Sequence, residues 1–248
     1  MPTYVVTGAS RGIGLAIVDE LLKDESNIVV AAVRDRNAQG LQDVRLKHLD
    51  SRLEVVHLDL GDPASIRQAA AEASGVLEGG LDYLIHCAGV SLQDLTPFEQ
   101  VDLKLHEEQL RLNAVAPIEV IRSFLPLIRQ GTGKKITLLS SGLASLQNAP
   151  YLPGYCESYS VSKAALNMLA RKWGASLRTE GITTILVHPG WVDTDMGNST
   201  KGWMSERFPQ VKQISRLESA IGCLQVLNDA KLEDAVCYYA WDGMRLPW

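Results

Sequence analysis

Residues 3–21, TYVVTGASRGIGLAIVDEL, place a short apolar run, three closely spaced glycines and a helical period one after another. The run 3–7 predicts a buried β-strand, and the apolar residues behind Gly12 recur at the spacing of one helix face. Because glycine has no Cβ, such a turn brings backbone N–H groups and the positive end of a helix close to an anion. The stretch therefore predicts a phosphate-binding turn, although its spacing also fits a plain strand-to-helix connection.

Six further short apolar runs alternate with helical patterns along the chain, at 28–33, 53–58, 82–87, 135–140, 182–188 and 236–241. Several are apolar on both faces, which is typical of strands in a parallel sheet that is covered on both sides. The alternation predicts a doubly wound α/β fold of about seven mainly parallel strands with helices on both faces. Ligands bind beyond the carboxyl ends of such strands, so the irregular segments 142–158 and 194–216 are expected to border the site.

The composition excludes several classes of protein. The 248 residues include 24 Lys and Arg against 29 Asp and Glu, and this net charge of -5 disfavours nucleic-acid binding. The four cysteines lack CxxC spacing, and no cluster has metal-ligand spacing, so we predict neither a metal site nor a redox pair. No apolar run reaches the length of a membrane span, and no signal peptide begins the sequence. We expect a cytoplasmic protein that binds neither membrane nor nucleic acid.

The glycine pattern Gly8-x3-Gly12-x-Gly14 resembles that of the short-chain dehydrogenases/reductases, and further motifs of this family follow in order along nearly the whole chain. His86-Cys87-Ala88-Gly89 departs from the family's Asn-Asn-Ala-Gly at its first two positions. The resemblance implies a single-domain Rossmann-type fold over residues 1–248 and a nicotinamide cofactor. Carried over residue by residue, it assigns cofactor binding to Gly8, Ser10, Arg11, Gly12, Ile13, Gly14, Arg34, Asp59, Leu60, Ala88, Gly89, Tyr159, Lys163, Pro189, Gly190, Val192 and Thr194.

Arg34 and Asp35 follow the second predicted strand, where dinucleotide-binding folds select their cofactor. An acidic residue there binds the ribose 2′-hydroxyl of NAD(H), whereas a cation accommodates the 2′-phosphate of NADP(H). Arg34 and Arg11 resemble the pair used by NADP(H)-preferring family members, and a guanidinium suits phosphate geometry. We therefore expect NADP(H) to be preferred over NAD(H). The alternative is that Arg34 and Arg36 are solvated charges that pair with Asp35.

Tyr159 and Lys163 stand four residues apart in a predicted helix and share one of its faces. A free tyrosine has a pKa near 10. A nearby cation lowers that pKa, so Lys163 and an oxidised nicotinamide would make Tyr159 a general acid–base catalyst. Ser141 would orient a substrate oxygen. Adjacent Ser140 is the alternative, since neighbouring strand residues face opposite ways.

The family resemblance implies a catalytic tetrad of Asn113, Ser141, Tyr159 and Lys163, with Asn113 in a distorted helix where it holds a proton-relaying water. Taken singly, these residues also fit a surface pair, a strand end and a helix cap. Two histidines that end predicted strands, His86 and His188, are expected to be neutral, hydrogen-bonded structural groups.

Apolar residues of both irregular segments, together with Trp191, predict the wall of a substrate pocket, although each aromatic residue could equally pack a lid onto the body. They are Leu143, Leu146, Tyr151, Leu152, Tyr155, Trp191, Met196, Trp203, Met204 and Phe208. The expected substrate is a bulky, apolar or aromatic ketone or aldehyde. The stretch 241–248, WDGMRLPW, resembles the ending of fungal and sniffer-like carbonyl reductases of this family, but its tryptophans also fit simple packing against the fold or a partner subunit.

These features predict an NADPH-dependent oxidoreductase that reduces the carbonyl of a small molecule, with Tyr159 as the general acid–base. Two alternatives stay open: an NAD-dependent alcohol dehydrogenase with Asp35 at the ribose, and a non-catalytic regulator that senses dinucleotides. Family members often pair the helices that here span roughly 102–130 and 159–180 between subunits, so the resemblance implies a homodimer or homotetramer.

Overall fold

Residues 1–48, 52–234 and 236–248 are described by the computed structural model of the chain. Within them, seven strands form one sheet: β1 (Thr3–Thr7), β2 (Ile28–Val33), β3 (Leu53–His57), β4 (Tyr83–His86), β5 (Lys135–Leu139), β6 (Thr183–His188) and β7 (Cys237–Ala240). Neighbouring strands are all parallel, in the spatial order β3-β2-β1-β4-β5-β6-β7. The predicted doubly wound, Rossmann-type α/β fold is confirmed.

Helices cover both faces of this sheet. The helices are α1 (Gly12–Leu21), α2 (Gln39–His48), α3 (Pro63–Val76), α4 (Leu103–Leu110), α5 (Ala116–Gln130), α6 (Glu157–Arg178), α7 (Asp195–Asn198), α8 (Lys201–Arg207) and α9 (Arg216–Asp229). One apolar core lies between the sheet and α3, α5 and α6, where Phe124 and Leu166 are fully buried. A second core lies beneath α1, α2 and α9, around Ile17 and Leu227. This double cover explains why the strands are apolar on both faces.

The strand order reverses between β1 and β4, which lie side by side with Thr7 opposite His86. β2 and β3 continue on one side of this point, and β5, β6 and β7 continue on the other. In open parallel sheets, ligands bind in the crevice beyond the carboxyl ends of the strands at such a reversal. The fold therefore brings the glycine turn after β1 to the same edge as the loops after β4, β5 and β6.

The two segments expected to be irregular differ in the structure. Segment 142–158 contains two short 3₁₀ turns, Gly142–Ala144 and Ala149–Tyr151, before α6 begins. Segment 194–216 is not irregular throughout, because it contains α7 and α8. The Thr194 hydroxyl starts α7 by accepting a hydrogen bond from the Gly197 N–H at 3.1 Å, a cap that the composition of the segment obscured. In the described ranges, no helix combines the length and apolarity needed to cross a membrane.

Candidate active site

A cavity of about 650 Å³ opens at the carboxyl edge of the sheet and continues from the glycine turn to the amino-terminal part of α6. Of the predicted site residues, only Asn113 does not line it. The cavity is lined by Gly8, Ser10, Arg11, Gly12, Ile13, Gly14, Arg34, Asp59, Leu60, Ala88, Gly89, Ser141, Tyr159, Lys163, Pro189, Gly190, Val192 and Thr194. Residues far apart in the sequence thus share one crevice, as the topology requires.

The glycine turn is shaped so that side chains would block it. Gly8 has a φ of +67°, and a Cβ there would stand 2.8 Å from the backbone of Ala88. A Cβ on Gly14 would overlap the carbonyl oxygen of Gly8. Arg11 precedes α1 in an extended conformation, and its side chain does not cap the helix. The first N–H groups of α1 therefore remain available for an anion, which is the arrangement that a pyrophosphate needs.

The charged residues after β2 separate into different roles. Arg36 pairs with Glu72 at 2.6 Å, and the Asp35 carboxylate accepts a hydrogen bond from the Asn37 N–H at 2.9 Å. Within the described ranges, the guanidinium of Arg34 has no hydrogen bond and no ion pair, and it lines the cavity. The expected alternative, in which Arg34 pairs with Asp35, does not occur. Arg34 is a cation that can accept a phosphate at this edge of the crevice.

Arg11 also lines the crevice, and it forms an ion pair with Asp195 at the start of α7. Both side chains are largely exposed, and surface pairs of this kind contribute little because solvent screens them. An incoming anion can therefore compete for Arg11. The Asp59 carboxylate accepts a hydrogen bond from the Gly61 N–H at 2.8 Å and closes its own turn, at the edge of the cavity.

Tyr159, Lys163 and Ser141 meet at the end of β5. The Ser141 hydroxyl accepts a hydrogen bond from the Leu143 N–H at 3.2 Å and stands close enough to the Tyr159 phenol to lower its pKa. The ammonium of Lys163 donates to the Leu139 carbonyl at 2.8 Å and stands 5.8 Å from the centre of the Tyr159 ring. Ser140 turns the other way and donates to the Asn167 Oδ1 at 2.5 Å. Of the two adjacent serines, the structure therefore brings Ser141 to the tyrosine.

Burial sets the protonation of this cluster. It raises the pKa of the Tyr159 phenol, with Cys156, Tyr238 and Asp94 adding to the rise and Ser141 opposing it. Burial also lowers the pKa of Lys163 to about 8. Loss of hydration is the largest contribution to the pKa of the phenol in the protein alone. The lowering expected from Lys163 together with an oxidised nicotinamide stays a prediction. At neutral pH the phenol is protonated and Lys163 is positively charged.

Asn113 lies behind the cluster in a five-residue π-helical turn, Arg111–Val115, that joins α4 to α5. Its Nδ2 donates to the Val90 carbonyl at 2.7 Å and to the Ser162 hydroxyl at 3.0 Å, and its Oδ1 accepts from the Val90 N–H at 2.8 Å. The helix is distorted where the resemblance implied. The amide of Asn113 thus holds the loop that follows β4 against α6, at the residue directly before Lys163.

Two histidines end strands near the cavity and stay neutral. Burial lowers the pKa of His86 to about 3, and it lowers that of His188 to about 4. His86 Nδ1 is 2.9 Å from the Thr7 hydroxyl. His86 Nε2 and His188 Nδ1 have no hydrogen-bond partner among the described residues, so the expected hydrogen bonding is only partly present. No group of three or more His, Cys, Asp or Glu side chains in the described ranges is arranged to hold a metal ion.

The apolar wall of the cavity includes most of the residues predicted for it: Leu143, Leu152, Tyr155, Trp191, Met196, Met204 and Phe208. Leu146 and Tyr151 do not belong to it, because they are 72% and 76% exposed on the outer side of their loop. Trp203 packs behind the wall instead, stacked on Tyr155 with 4.1 Å between ring centres. Apolar composition predicted the wall, but it does not tell which side of a loop a residue faces.

Sequence reasoning missed one polar residue of the wall, Asp94. Asp94 lines the cavity, and its carboxylate accepts hydrogen bonds from Ser91 and from Ser199, the latter at 2.5 Å. Its carbonyl accepts from the Cys156 N–H at 2.6 Å. Asp94 thus joins the loop after β4 to α7 and to the start of α6. No motif around Asp94 signals this role, which depends on contacts distant in sequence.

Comparison with known proteins places this geometry in context. The family model described as "short chain dehydrogenase" matches residues 2–205. An uncharacterised oxidoreductase of Schizosaccharomyces pombe is 30% identical over 99% of this chain and 97% of its own length. The NADPH-bound carbonyl reductase from chicken fatty liver superposes with a TM-score of 0.86 at 34% identity, covering 100% of this chain and 99% of the other. The Drosophila melanogaster carbonyl reductase Sniffer gives a TM-score of 0.87 at 26% identity, with both chains fully covered.

Proposed function

The chain belongs to the short-chain dehydrogenase family of oxidoreductases, and from that premise we propose that it reduces a bulky apolar or aromatic ketone or aldehyde with NADPH. The observation that carries the proposal is the grouping of Tyr159, Ser141 and Lys163 at the point where a phosphate-binding crevice meets an apolar wall. The two solved carbonyl reductases that share the whole fold support the same chemistry.

The preference for NADP(H) is supported by the charges around the crevice. Arg34 is unpaired within the described ranges, and the ion pair of Arg11 is exposed, so both cations can turn to a 2′-phosphate. The glycine turn would hold the pyrophosphate. Four further lining residues would contact the nicotinamide: Pro189, Gly190, Val192 and Thr194. When bound, NADPH supplies the hydride. The chicken liver enzyme, whose structure contains NADPH, supports this assignment.

The chain's own residues would then direct the proton. Ser141 donates a hydrogen bond to the carbonyl oxygen and orients it, and Tyr159 gives its phenolic proton to that oxygen as negative charge develops there. The phenolate left behind needs a cation, and Lys163 supplies one at neutral pH because its pKa is about 8. The hydrogen bond to Leu139 fixes the position of the ammonium. Asn113 holds the neighbouring loop and gives α6 a fixed partner.

The wall of the cavity supports a neutral substrate. Tyr155 and Trp191 offer large flat surfaces, which bind apolar and aromatic groups. The carboxylates of Asp94 and Asp195 both line the cavity, and their charge would repel an anionic substrate. A bulky ketone or aldehyde without a carboxylate or phosphate fits these surfaces best.

The two alternatives find less support. An NAD-dependent alcohol dehydrogenase would need Asp35 at the ribose, but its carboxylate is engaged by Asn37 and does not line the cavity. A regulator without catalysis would not need Tyr159 and Ser141 to meet.

For the assembly, we propose that α4, α5 and α6 pair with those of another subunit in a homodimer or homotetramer, because Val115, Val161 and Met168 are exposed apolar residues of this region.

The proposal is tested by turnover of a panel of aromatic ketones, diketones and aldehydes, followed by the loss of reduced-nicotinamide absorbance with NADPH and with NADH. Tyr159→Phe removes only the acidic hydroxyl, so it should lower kcat by at least 100-fold. Binding of NADPH, measured by calorimetry, should persist. A Tyr159→Phe protein that reduces carbonyls as fast as its parent, or a parent that binds no pyridine nucleotide, would refute the assignment.

A further inference from the structure

The segment Met244–Trp248, which we call the strap, joins β7 to the loop that follows β5. It turns back antiparallel to β7, so that the Leu246 N–H donates to the Tyr238 carbonyl at 2.9 Å. The Trp248 carbonyl then accepts a hydrogen bond from the Gln147 N–H at 3.0 Å, in the loop that follows β5. The two ends of this strap are thus fixed to β7 and to the loop beside the catalytic serine.

Tyr238 is clamped between this strap and α6. It is 2% exposed and belongs to the apolar core on the α6 side of the sheet. Its ring packs against the Trp248 ring, with 5.5 Å between the centres. The guanidinium of Arg171, on α6, lies 4.3 Å from the centre of the Trp248 ring and covers its face. The position of the Tyr238 ring is therefore fixed by the sheet and by the catalytic helix together.

The hydroxyl of Tyr238 reaches the catalytic cluster from the side opposite the cavity. It donates a hydrogen bond to the Ser141 carbonyl, and it also contacts the side chains of Ser140 and Asn167. Three hydrogen bonds consequently hold Ser141: its carbonyl accepts from the Tyr238 hydroxyl and from the Ala144 N–H at 2.9 Å, and its hydroxyl accepts from the Leu143 N–H at 3.2 Å. The first contact sets where the serine hydroxyl can stand relative to the tyrosine hydroxyl.

We propose that Tyr238, held in place by the strap Met244–Trp248, is a positioning residue for the reaction, because its hydroxyl fixes the peptide of Ser141. The proposal rests on the function proposed above. Donors that stabilise a developing charge work only within a few tenths of an ångström of their productive position. Without the Tyr238 hydroxyl, the Ser141 carbonyl keeps the Ala144 N–H of its own 3₁₀ turn as a donor but loses its link to β7. The Ser141 peptide can then shift together with that turn. The chemical step should suffer while the nucleotide site, on the other side of Tyr159, is unchanged.

The test compares Tyr238→Phe with Tyr239→Phe. Both variants lose one phenolic oxygen from the same strand, but Tyr239 packs on the opposite face of the sheet, outside the catalytic cavity. For Tyr238→Phe we expect kcat to fall about 10- to 100-fold, with KM and the Kd of NADPH within twofold of the parent. Tyr239→Phe should keep the parent kcat. Trp248→Leu, which keeps the Tyr238 hydroxyl but removes the ring that packs on it, should lower kcat by about 3- to 10-fold.

Each result is decisive when the thermal midpoint is measured alongside the kinetics. A folded Tyr238→Phe with the parent kcat overturns the positioning role. A parallel loss of kcat, of NADPH affinity and of thermal midpoint also overturns it, because that pattern marks a purely structural residue. If Tyr238→Phe does not fold, Trp248→Leu decides, and its parent-like kcat would refute the proposal. A parent that reduces no carbonyl in the panel refutes the proposed function itself, which is a different result.

Discussion

The Arg34→Gln substitution tests the proposed preference for NADP(H) by removing one guanidinium group. The guanidinium lines the cavity and has no partner within the described ranges, so the substitution breaks no existing hydrogen bond or ion pair. It removes only the charge that would face a 2′-phosphate. A hydrogen bond between charged groups contributes about 1.5 to 3 kcal/mol. Loss of that contact should therefore raise the Kd of NADPH by roughly 10- to 150-fold.

The assay is titration calorimetry with NADPH and with NADH. The Kd of NADH should stay within about twofold, because NADH has no 2′-phosphate for Arg34 to contact. Arg36→Gln is the matched control: it also removes a guanidinium two residues away, but Arg36 is paired with Glu72 and does not line the cavity. An unchanged NADPH affinity in Arg34→Gln, or an equal loss of affinity for both nucleotides, would refute the reasoning.

Two further substitutions probe the cluster and the glycine turn. Lys163→Met should lower kcat by at least 100-fold yet raise the free energy of unfolding at neutral pH by about 1 to 2 kcal/mol. Stability should rise because burial disfavours the ammonium and lowers its pKa from 10.5 to about 8. The lost hydrogen bond to the Leu139 carbonyl offsets part of that gain. Denaturant titrations measure the free energy of unfolding, and a Lys163→Met protein less stable than the parent would contradict the argument. By the same reasoning, the parent should become more stable between pH 8 and 10.5, because the unfolded chain binds more protons there than the folded chain. Gly14→Ala should cost about 1 to 3 kcal/mol and weaken NADPH binding at least tenfold, because the added Cβ overlaps the Gly8 carbonyl. Gly75→Ala, whose Cβ would meet nothing within 4 Å, is the control, and equal effects in both variants would contradict the steric argument.

Much of the fold can be predicted from the sequence because burial on two faces leaves a strong pattern. The run 28–33 coincides with β2, and 82–87 exceeds β4 by one residue at each end. Strands in a parallel sheet show this pattern regardless of their neighbours. The glycine turn is equally readable, since both its positive φ at Gly8 and its close approach to Ala88 exclude other residues.

The residues of the substrate wall could be predicted only in part, because irregular segments have no fixed period that tells which side chains face the cavity. Leu146 and Leu143 lie three residues apart in one loop, yet Leu143 lines the cavity and Leu146 is 72% exposed. The short helix α7 likewise begins at a side-chain cap on Thr194, which composition does not reveal. Contacts across the fold are harder still: Tyr238 is 97 residues from the Ser141 carbonyl that it contacts.

Burial shifts the pKa values of Tyr159 and Lys163 in directions that their spacing in the sequence does not show. Tyr159 and Lys163 are four positions apart, and that spacing alone predicts that the cation lowers the pKa of the phenol. In the folded chain both groups are desolvated, so the pKa of the phenol rises and that of the ammonium falls. The same burial leaves the phenol holding its proton and the lysine still charged at neutral pH. This is the state from which a proton can be given to a carbonyl oxygen.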